Sequence, residues 1–299
     1  MIIITGLTGT SGSAFYDVLC REKYGEKIKA VVRPTSDLSV FKDTPLDIEF
    51  AYGDITDEDF LVSAMRDCDA VFHIAEKLLT EYVWHAIKRS PQIKSVIMVS
   101  STIVYSNFYP NLKLNVFEPQ IRKDFEERGV KYVFIRPTMI FGTPKDHNIS
   151  TFIRWFNKYP VFPIVGKGQA NIRPVSRFDV AEGYYLILKN FDKLKHTDYI
   201  VSGEKEMTLI EMFKKIAELS GRRVKFFNVP YPFARFCVMA VYFVSFKKID
   251  YREKLDRLTE DRAYDHDLIT EEFGYSPRSF EERVKPLIDE VKKVVKSGR

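Results

Sequence analysis

Ile2-Ile3-Ile4-Thr5-Gly6-Leu7-Thr8-Gly9-Thr10-Ser11-Gly12 is the stretch from which the fold is read. Three β-branched residues make an apolar strand, the strand stops at a glycine-rich turn, and residues 13–23 then have the pattern of a helix. Gly6 lets the chain turn sharply, Gly9 lets backbone amides approach a pyrophosphate, and Gly12 lets the helix pack close to the strand. The free amides and the positive dipole end of that helix would face phosphates. Three glycines at this spacing also occur in plain turns. The strand before them and the helix after them are what point to a dinucleotide site.

Working outward, residues 28–32 read as a second strand ending at Arg33-Pro34-Thr35-Ser36, and 47–52 as a third ending at Gly53-Asp54-Ile55-Thr56-Asp57. A helix over 58–67 leads to a strand at 70–74. A helix over 80–89 leads to a strand at 95–100, and a helix over 118–128, opened by Pro119, leads to a strand at 131–135. Strict alternation implies right-handed crossovers and a parallel sheet with helices on both faces. Ligands of such sheets lie beyond the carboxyl ends of the strands, where these motifs fall.

After Gly142 the texture loosens. A helix is expected over 148–158, a Pro/Gly-rich loop over 160–168, and a segment over 175–188 that passes through Asp179-Val180-Ala181 into a helix. A strand at 198–203, a capped amphipathic helix at 208–220 and a strand at 224–229 follow.

With 299 residues, 45% of them hydrophobic and 29% charged, the chain has the length and composition of a packed α/β protein. Its net charge of +5 is spread along the chain, which gives no sign of nucleic acid as a partner and suits anionic small molecules, or simply a solvated surface. Cys20, Cys68 and Cys237 have neither disulfide nor zinc spacing, so no metal site is expected. A strand starting at Ile2 leaves no room for a signal peptide, and a cytoplasmic location is expected. The most apolar stretch, 236–246, is too short to span a bilayer. Burial in the core is its expected fate, with an interfacial patch as the alternative.

These motifs together resemble the extended short-chain dehydrogenase/reductases, in their NAD(P)-dependent epimerase/dehydratase branch, which also has atypical members. Residues 5–12 match the family's TGxxGxxG and 53–57 its adenine-contacting acidic turn. Residues 69–75 resemble its DAVFHLA strand, 99–105 its VSSxxVYG segment and 136–142 its RPxxxYG segment. The resemblance implies an α/β fold, a doubly wound parallel (Rossmann) sheet with a smaller C-terminal α/β lobe. The NAD(P)-binding domain would take residues 1–142 and the cap lobe 143–299, with 175–188 returning to the core sheet. The cofactor would be held by Gly6, Thr8, Gly9, Thr10, Ser11, Gly12, Arg33, Asp54, Ile55, Ile74, Ala75, Ser100 and Pro137.

The resemblance also implies a reaction centre. Ser101 would hydrogen-bond the substrate oxygen, and Tyr109 would act as general acid/base. Lys113, four residues on, would lower the phenol's pKa, because a phenol near pKa 10 is a poor base until an ammonium stabilises the phenolate. This pair follows Ser101 more closely than in the family, and Pro110 lies inside it, so a loop tyrosine with a solvated lysine is the competing reading. Tyr105 is the nearest substitute, but no lysine follows it at the right spacing. The loop between Ala75 and Thr80 is also short for the family. Asp179 is read as structural. Arg173 and His147 are the candidates for substrate contacts, with Lys145 beside His147.

The end of the second strand carries Arg33 where an acidic residue would select NAD. An arginine can stack on adenine and pair with a 2′-phosphate, so NADP is expected, with NAD the alternative. A surface arginine paired with Asp37 or Asp57 is the competing reading of Arg33. The functional expectation is an NAD(P)-dependent oxidoreductase or epimerase/dehydratase acting on a hydroxyl or keto group of a polar small molecule, with a nucleotide sugar the expected substrate. The alternative is an NADP(H)-binding sensor or scaffold with a degenerate, non-catalytic site. A membrane-associated reductase for a sterol or lipid rests on 236–246 alone. The protein is expected to be a monomer or a homodimer.

Overall fold

The computed structural model describes the chain except for residues 109–112, 147, 246–250 and 298–299, and gives no side chains for 253–254 and 296–297. Its first half runs β1 (Ile2–Thr5), α1 (Thr10–Arg21), β2 (Ile28–Val32), β3 (Ile48–Tyr52), α2 (Glu58–Met65), β4 (Ala70–His73), α3 (Thr80–Lys88), β5 (Ser95–Val99), α4 (Lys113–Glu127), β6 (Lys131–Pro137) and β7 (Ile140–Phe141). The chain continues through α5 (Ile149–Lys158), β8 (Val161–Val165), β9 (Asn171–Ile172), β10 (Val175–Ser176), α6 (Arg177–Lys189), β11 (Asp198–Val201) and β12 (Met207–Thr208). It ends with α7 (Leu209–Leu219), β13 (Lys225–Val229), α8 (Tyr231–Val244), α9 (Arg252–Arg257), α10 (Asp267–Phe273) and α11 (Phe280–Ser297).

Seven parallel strands form the central sheet in the order β11-β6-β5-β4-β1-β2-β3. The period of two along β1 explains its all-apolar sequence. Ile2 and Ile4 enter a core shared with Phe15 of α1 and Tyr184 of α6, whereas Ile3 enters the opposite core with Leu61 of α2, Trp84 of α3 and Phe125 of α4. Both faces of the sheet are therefore covered. A third core, around Phe156, Ile164, Met212 and Val284, holds the smaller lobe of α5, α7, α11 and their short strands.

The strand β11 comes from beyond residue 142 and closes the edge of the central sheet beside β6. The segment over 175–188 forms β10, which pairs with β7 in a separate two-stranded sheet and does not join the central sheet, and α6, which packs along α1. The helix α7 has the capping box its sequence suggested, the Thr208 hydroxyl accepting from Glu211 N and the Glu211 carboxylate accepting from Thr208 N.

Three further expectations are corrected. The helix expected from residue 118 runs from Lys113, with Pro119 inside it. Proline removes one N–H, but its ring lies on the exposed side, while Leu114, Glu118, Ile121 and Phe125 bury the other side at helical spacing. The loop expected over 160–168 contains β8, which pairs in parallel with β13, Val161 facing Lys225 and Val165 facing Val229. The apolar stretch at 236–246 is not core. The helix α8, which carries its described part, buries only Ala234.

Candidate functional site

The chain leaves β3 and crosses back to place β4 on the other side of β1, so strand order reverses between β1 and β4. A crevice at that point is where an open α/β sheet takes its ligand. A cleft of about 590 Å³ opens there, lined by Gly6, Thr8, Gly9, Thr10 and Ser11 from the loop after β1. Arg33 and Ser36 line it from the end of β2, Asp54 and Ile55 from the end of β3, and Ile74 and Ala75 from the end of β4.

The loop is shaped for an anion. Gly6 has φ +81°, and a Cβ there would stand 2.5 Å from Ala75 N; a Cβ on Gly12 would stand 2.0 Å from Gly6 O. Only glycine fits at either position, which brings β1, α1 and the end of β4 into direct backbone contact. Gly9 N donates to Gly6 O at 2.9 Å and closes the turn, and Ser13 N donates to Gly9 O at 2.8 Å as the first bond of α1. The amides of Thr10, Ser11 and Gly12 consequently have no acceptor within the helix, and its first turn holds no acidic side chain. A pyrophosphate supplies the missing acceptors and the missing charge.

Arg33 projects from the rim, exposed, and forms no ion pair with Asp37 or Asp57 among the described residues. Those two carboxylates are occupied elsewhere: Asp37 accepts from Ser39 N at 2.9 Å, and Asp57 caps α2 by accepting from Phe60 N at 3.0 Å. Asp54 accepts from both Thr56 N and Thr56 Oγ1 at 2.8 Å, and the backbone N–H in particular holds its carboxyl below the usual range.

The lining also includes Gly53 and Thr56 of the acidic turn, and Val31, Val32, Glu76 and Leu79, which sequence reasoning missed. All six lie within a few positions of a strand end that the sequence did mark. Arg177 was missed for a different reason. It lies at the start of α6, far along the chain, and reaches Ser13 Oγ at 3.2 Å and Thr10 O at 3.5 Å only because α6 packs on α1. It adds positive charge beside the phosphate turn.

Ser100 and Pro137 do not line this cleft. The Ser100 hydroxyl donates to Glu118 and accepts from Arg136 Nη1 at 3.0 Å, while Arg136 Nη2 donates to Glu118 Oε2 at 2.5 Å and Arg136 Nε to Asp198 Oδ1 at 2.8 Å. Arg136 and Glu118 are almost wholly buried, so this ion pair ties β5, α4, β6 and β11 together directly behind Ser101. The carbonyl of Pro137 accepts from Thr102 Oγ1 at 3.4 Å. Both residues hold the strand ends that carry the site.

Ser101 is half-buried at the end of β5, with its Oγ accepting from Ile103 N at 3.3 Å. Its hydroxyl proton is left to donate. Lys113 opens α4 and is exposed; Tyr109 and His147 lie outside the described residues. Tyr105 packs against Tyr264 with ring centroids 5.4 Å apart, and burial pushes its phenol up despite the Arg136 guanidinium 5.3 Å from its ring. That is the wrong direction for a general base at neutral pH.

Beyond Tyr105, Glu260 accepts from Ser106 Oγ at 2.8 Å and from Asn107 N at 3.0 Å, which draws the segment after α9 onto this side of the cleft. Arg262 there is pushed down to about 10, first by burial and then by the like charge of Arg257. Arg173 is occupied in the fold, donating from Nε to Gly203 O at 2.9 Å and from Nη2 to Glu204 O at 2.8 Å.

This fold and this cleft define a dinucleotide-binding α/β protein of the Rossmann type. Residues 6–190 match the NAD(P)H-binding family, and the chain belongs to it. No curated protein matches the chain at the level of sequence. Among solved structures it is similar to a UDP-glucose 4-epimerase from Thermotoga maritima (17% identity, covering 98% of this chain and 99% of that one, TM-score 0.69). It is also similar to the dTDP-glucose 4,6-dehydratase DesIV from Streptomyces venezuelae (18%, 98% and 97%, TM-score 0.71). A third is a UDP-glucuronic acid 4-epimerase from Bacillus cereus (15%, 98% and 99%, TM-score 0.72). The epimerase/dehydratase architecture is thus that of this chain from end to end.

Proposed function

We propose that the protein is an NADP-dependent oxidoreductase or epimerase/dehydratase acting on a hydroxyl or keto group of a nucleotide sugar. The observation that carries this reading is the position of Ser101. It stands at the carboxyl end of β5, the strand beside β4, whose end supplies Ile74 and Ala75 to the cofactor cleft. A substrate oxygen on Ser101 therefore lies next to the dinucleotide, on the side away from the adenine turn at Asp54.

The glycines at 6 and 12 and the free amides of α1 fit the pyrophosphate of the cofactor, and Arg33 fits a 2′-phosphate because neither Asp37 nor Asp57 pairs with it among the described residues. Bound there, NADP(H) accepts or supplies hydride. Ser101 orients the substrate oxygen through its hydroxyl proton. Tyr109 moves the proton to or from that oxygen, and Lys113 supports Tyr109.

The test is product analysis of the purified protein with NADP(H) and a panel of UDP- and dTDP-sugars. Turnover should appear with at least one sugar, and Tyr109→Phe should lower it by about a hundredfold or more. Unchanged turnover in that variant removes Tyr109 from the scheme. Cofactor binding without product from any sugar transfers the case to the sensor or scaffold reading, which the raised phenol of Tyr105 favours.

A further inference from the structure

The helix α8 presents the wrong face to water. At about 100° per residue, Phe233, Phe236, Ala240, Val241, Phe243 and Val244 fall within one arc of about 160°. All six are exposed: Phe233 and Phe243 by 60%, Phe236 by 70% and Val244 by 80%. The opposite side is pinned to the protein. Tyr231 Oη donates to Asp256 Oδ1 at 2.5 Å, Arg235 Nη1 reaches the same oxygen at 3.2 Å, and the Arg252 guanidinium lies 4.2 Å from the centre of the Tyr242 ring. The apolar face is thus held outward by contacts on its reverse.

The charge along the chain beside it is mostly positive. From residue 219 to 249 the chain contains six lysines and arginines and no aspartate or glutamate. Arg222, Arg223 and Lys225, which lead into α8 through β13, line with Lys214 and one carboxylate, Glu218, a groove of about 630 Å³ that has an apolar floor at Val161 and Phe226. Fourteen helical residues extend about 21 Å, short of the roughly 30 Å of a bilayer's hydrocarbon. Among the described residues no helix is long and apolar enough to cross a membrane. An apolar face of this length, with cations in excess beside it, matches a helix lying in the plane of a negatively charged interface.

We propose that α8 docks this protein on anionic phospholipid, with Phe233, Phe236, Phe243 and Val244 among the acyl chains and Arg222, Arg223 and Lys225 at the headgroups. The chain runs on from α8 through α9 to Glu260, which holds Ser106 and Asn107. The docked face is therefore connected to the wall of the substrate side of the cleft. The inference does not depend on the reaction proposed above.

The test is co-sedimentation of the full-length protein with phosphatidylcholine vesicles containing phosphatidylserine, alongside pure phosphatidylcholine vesicles and protein alone. Binding is expected on the anionic vesicles and should weaken with salt and on pure phosphatidylcholine. The double variant Phe236→Ser/Phe243→Ser should lose affinity by about tenfold or more, with NADPH binding and thermal midpoint unchanged. Arg222→Gln/Arg223→Gln should weaken binding to the anionic vesicles only. Absence of vesicle binding, or undiminished binding by the serine variant, would overturn the proposal. So would a concentration-dependent dimer, seen by sedimentation velocity, that the serine variant abolishes while vesicles leave the protein in solution; that result would assign the face to a second copy of the chain.

Discussion

Acidification should destabilise the fold through His73. The ring is fully buried at the end of β4, its Nδ1 lies 2.7 Å from Thr5 Oγ1, and its Nε2 has no partner among the described residues. Burial lowers its pKa from 6.5 to about 4. Between these values the unfolded chain binds a proton that the folded chain refuses. The resulting stability is fully present above pH 6.5 and declines as pH falls, until the folded ring itself titrates near pH 4. The whole interval amounts to about 3 kcal/mol, of which about 2 kcal/mol is lost between pH 7 and pH 5. Urea unfolding followed by circular dichroism at those two pH values, for the native protein and for His73→Leu, isolates this contribution because the other titrating groups cancel. The native protein should lose about 2 kcal/mol more than the variant. Equal losses would refute the reasoning. Should the variant not fold, the imidazole resonances of the native protein give the same answer: His73 should remain neutral at pH 5, and a protonated ring there would contradict the account.

Gly12→Ala places a Cβ 2.0 Å from Gly6 O, so α1 must move away from the turn. Stability should fall by about 1–3 kcal/mol, read as a lower urea midpoint, and saturable NADPH fluorescence should disappear. Glu118→Ala leaves the buried Arg136 of β6 without its main partner. A loss of about 3–5 kcal/mol is expected by denaturant unfolding, and Glu118→Gln should lose less because it keeps an acceptor for the guanidinium. Arg33→Ala should weaken NADPH by about tenfold to a hundredfold and leave NADH within about twofold, measured by competition.

Much of the cofactor half was legible because local residues determine it. A β-branched run, three glycines and the acidic turn at Asp54 each act on their own neighbourhood, and the strand ends they mark converge through parallel pairing alone. Ser100 and Pro137 show the limit: both sit at strand ends, yet the buried Glu118–Arg136 pair turns the Ser100 side chain away from the cleft. Arg177 shows another, since its place beside Ser13 exists only after α6 packs on α1. The strand β8 was masked by Pro160, Pro163 and Gly166, whose turn-forming character outweighed the pairing that Val224 to Val229 could offer. The exposure of α8 was hidden by composition, because apolar residues all around a helix read as core and the sequence does not say which face the protein covers.

The central claim is that the cleft at the β1–β4 switch point holds NADP(H) against the loop of Gly6 to Gly12. Titration of the purified protein with NADPH and with NADH, followed by cofactor fluorescence, tests it most directly. The account predicts saturable one-to-one binding of both, NADPH the tighter, and loss of both in Gly12→Ala. No saturable binding by either cofactor, or binding that Gly12→Ala leaves unchanged, would contradict it.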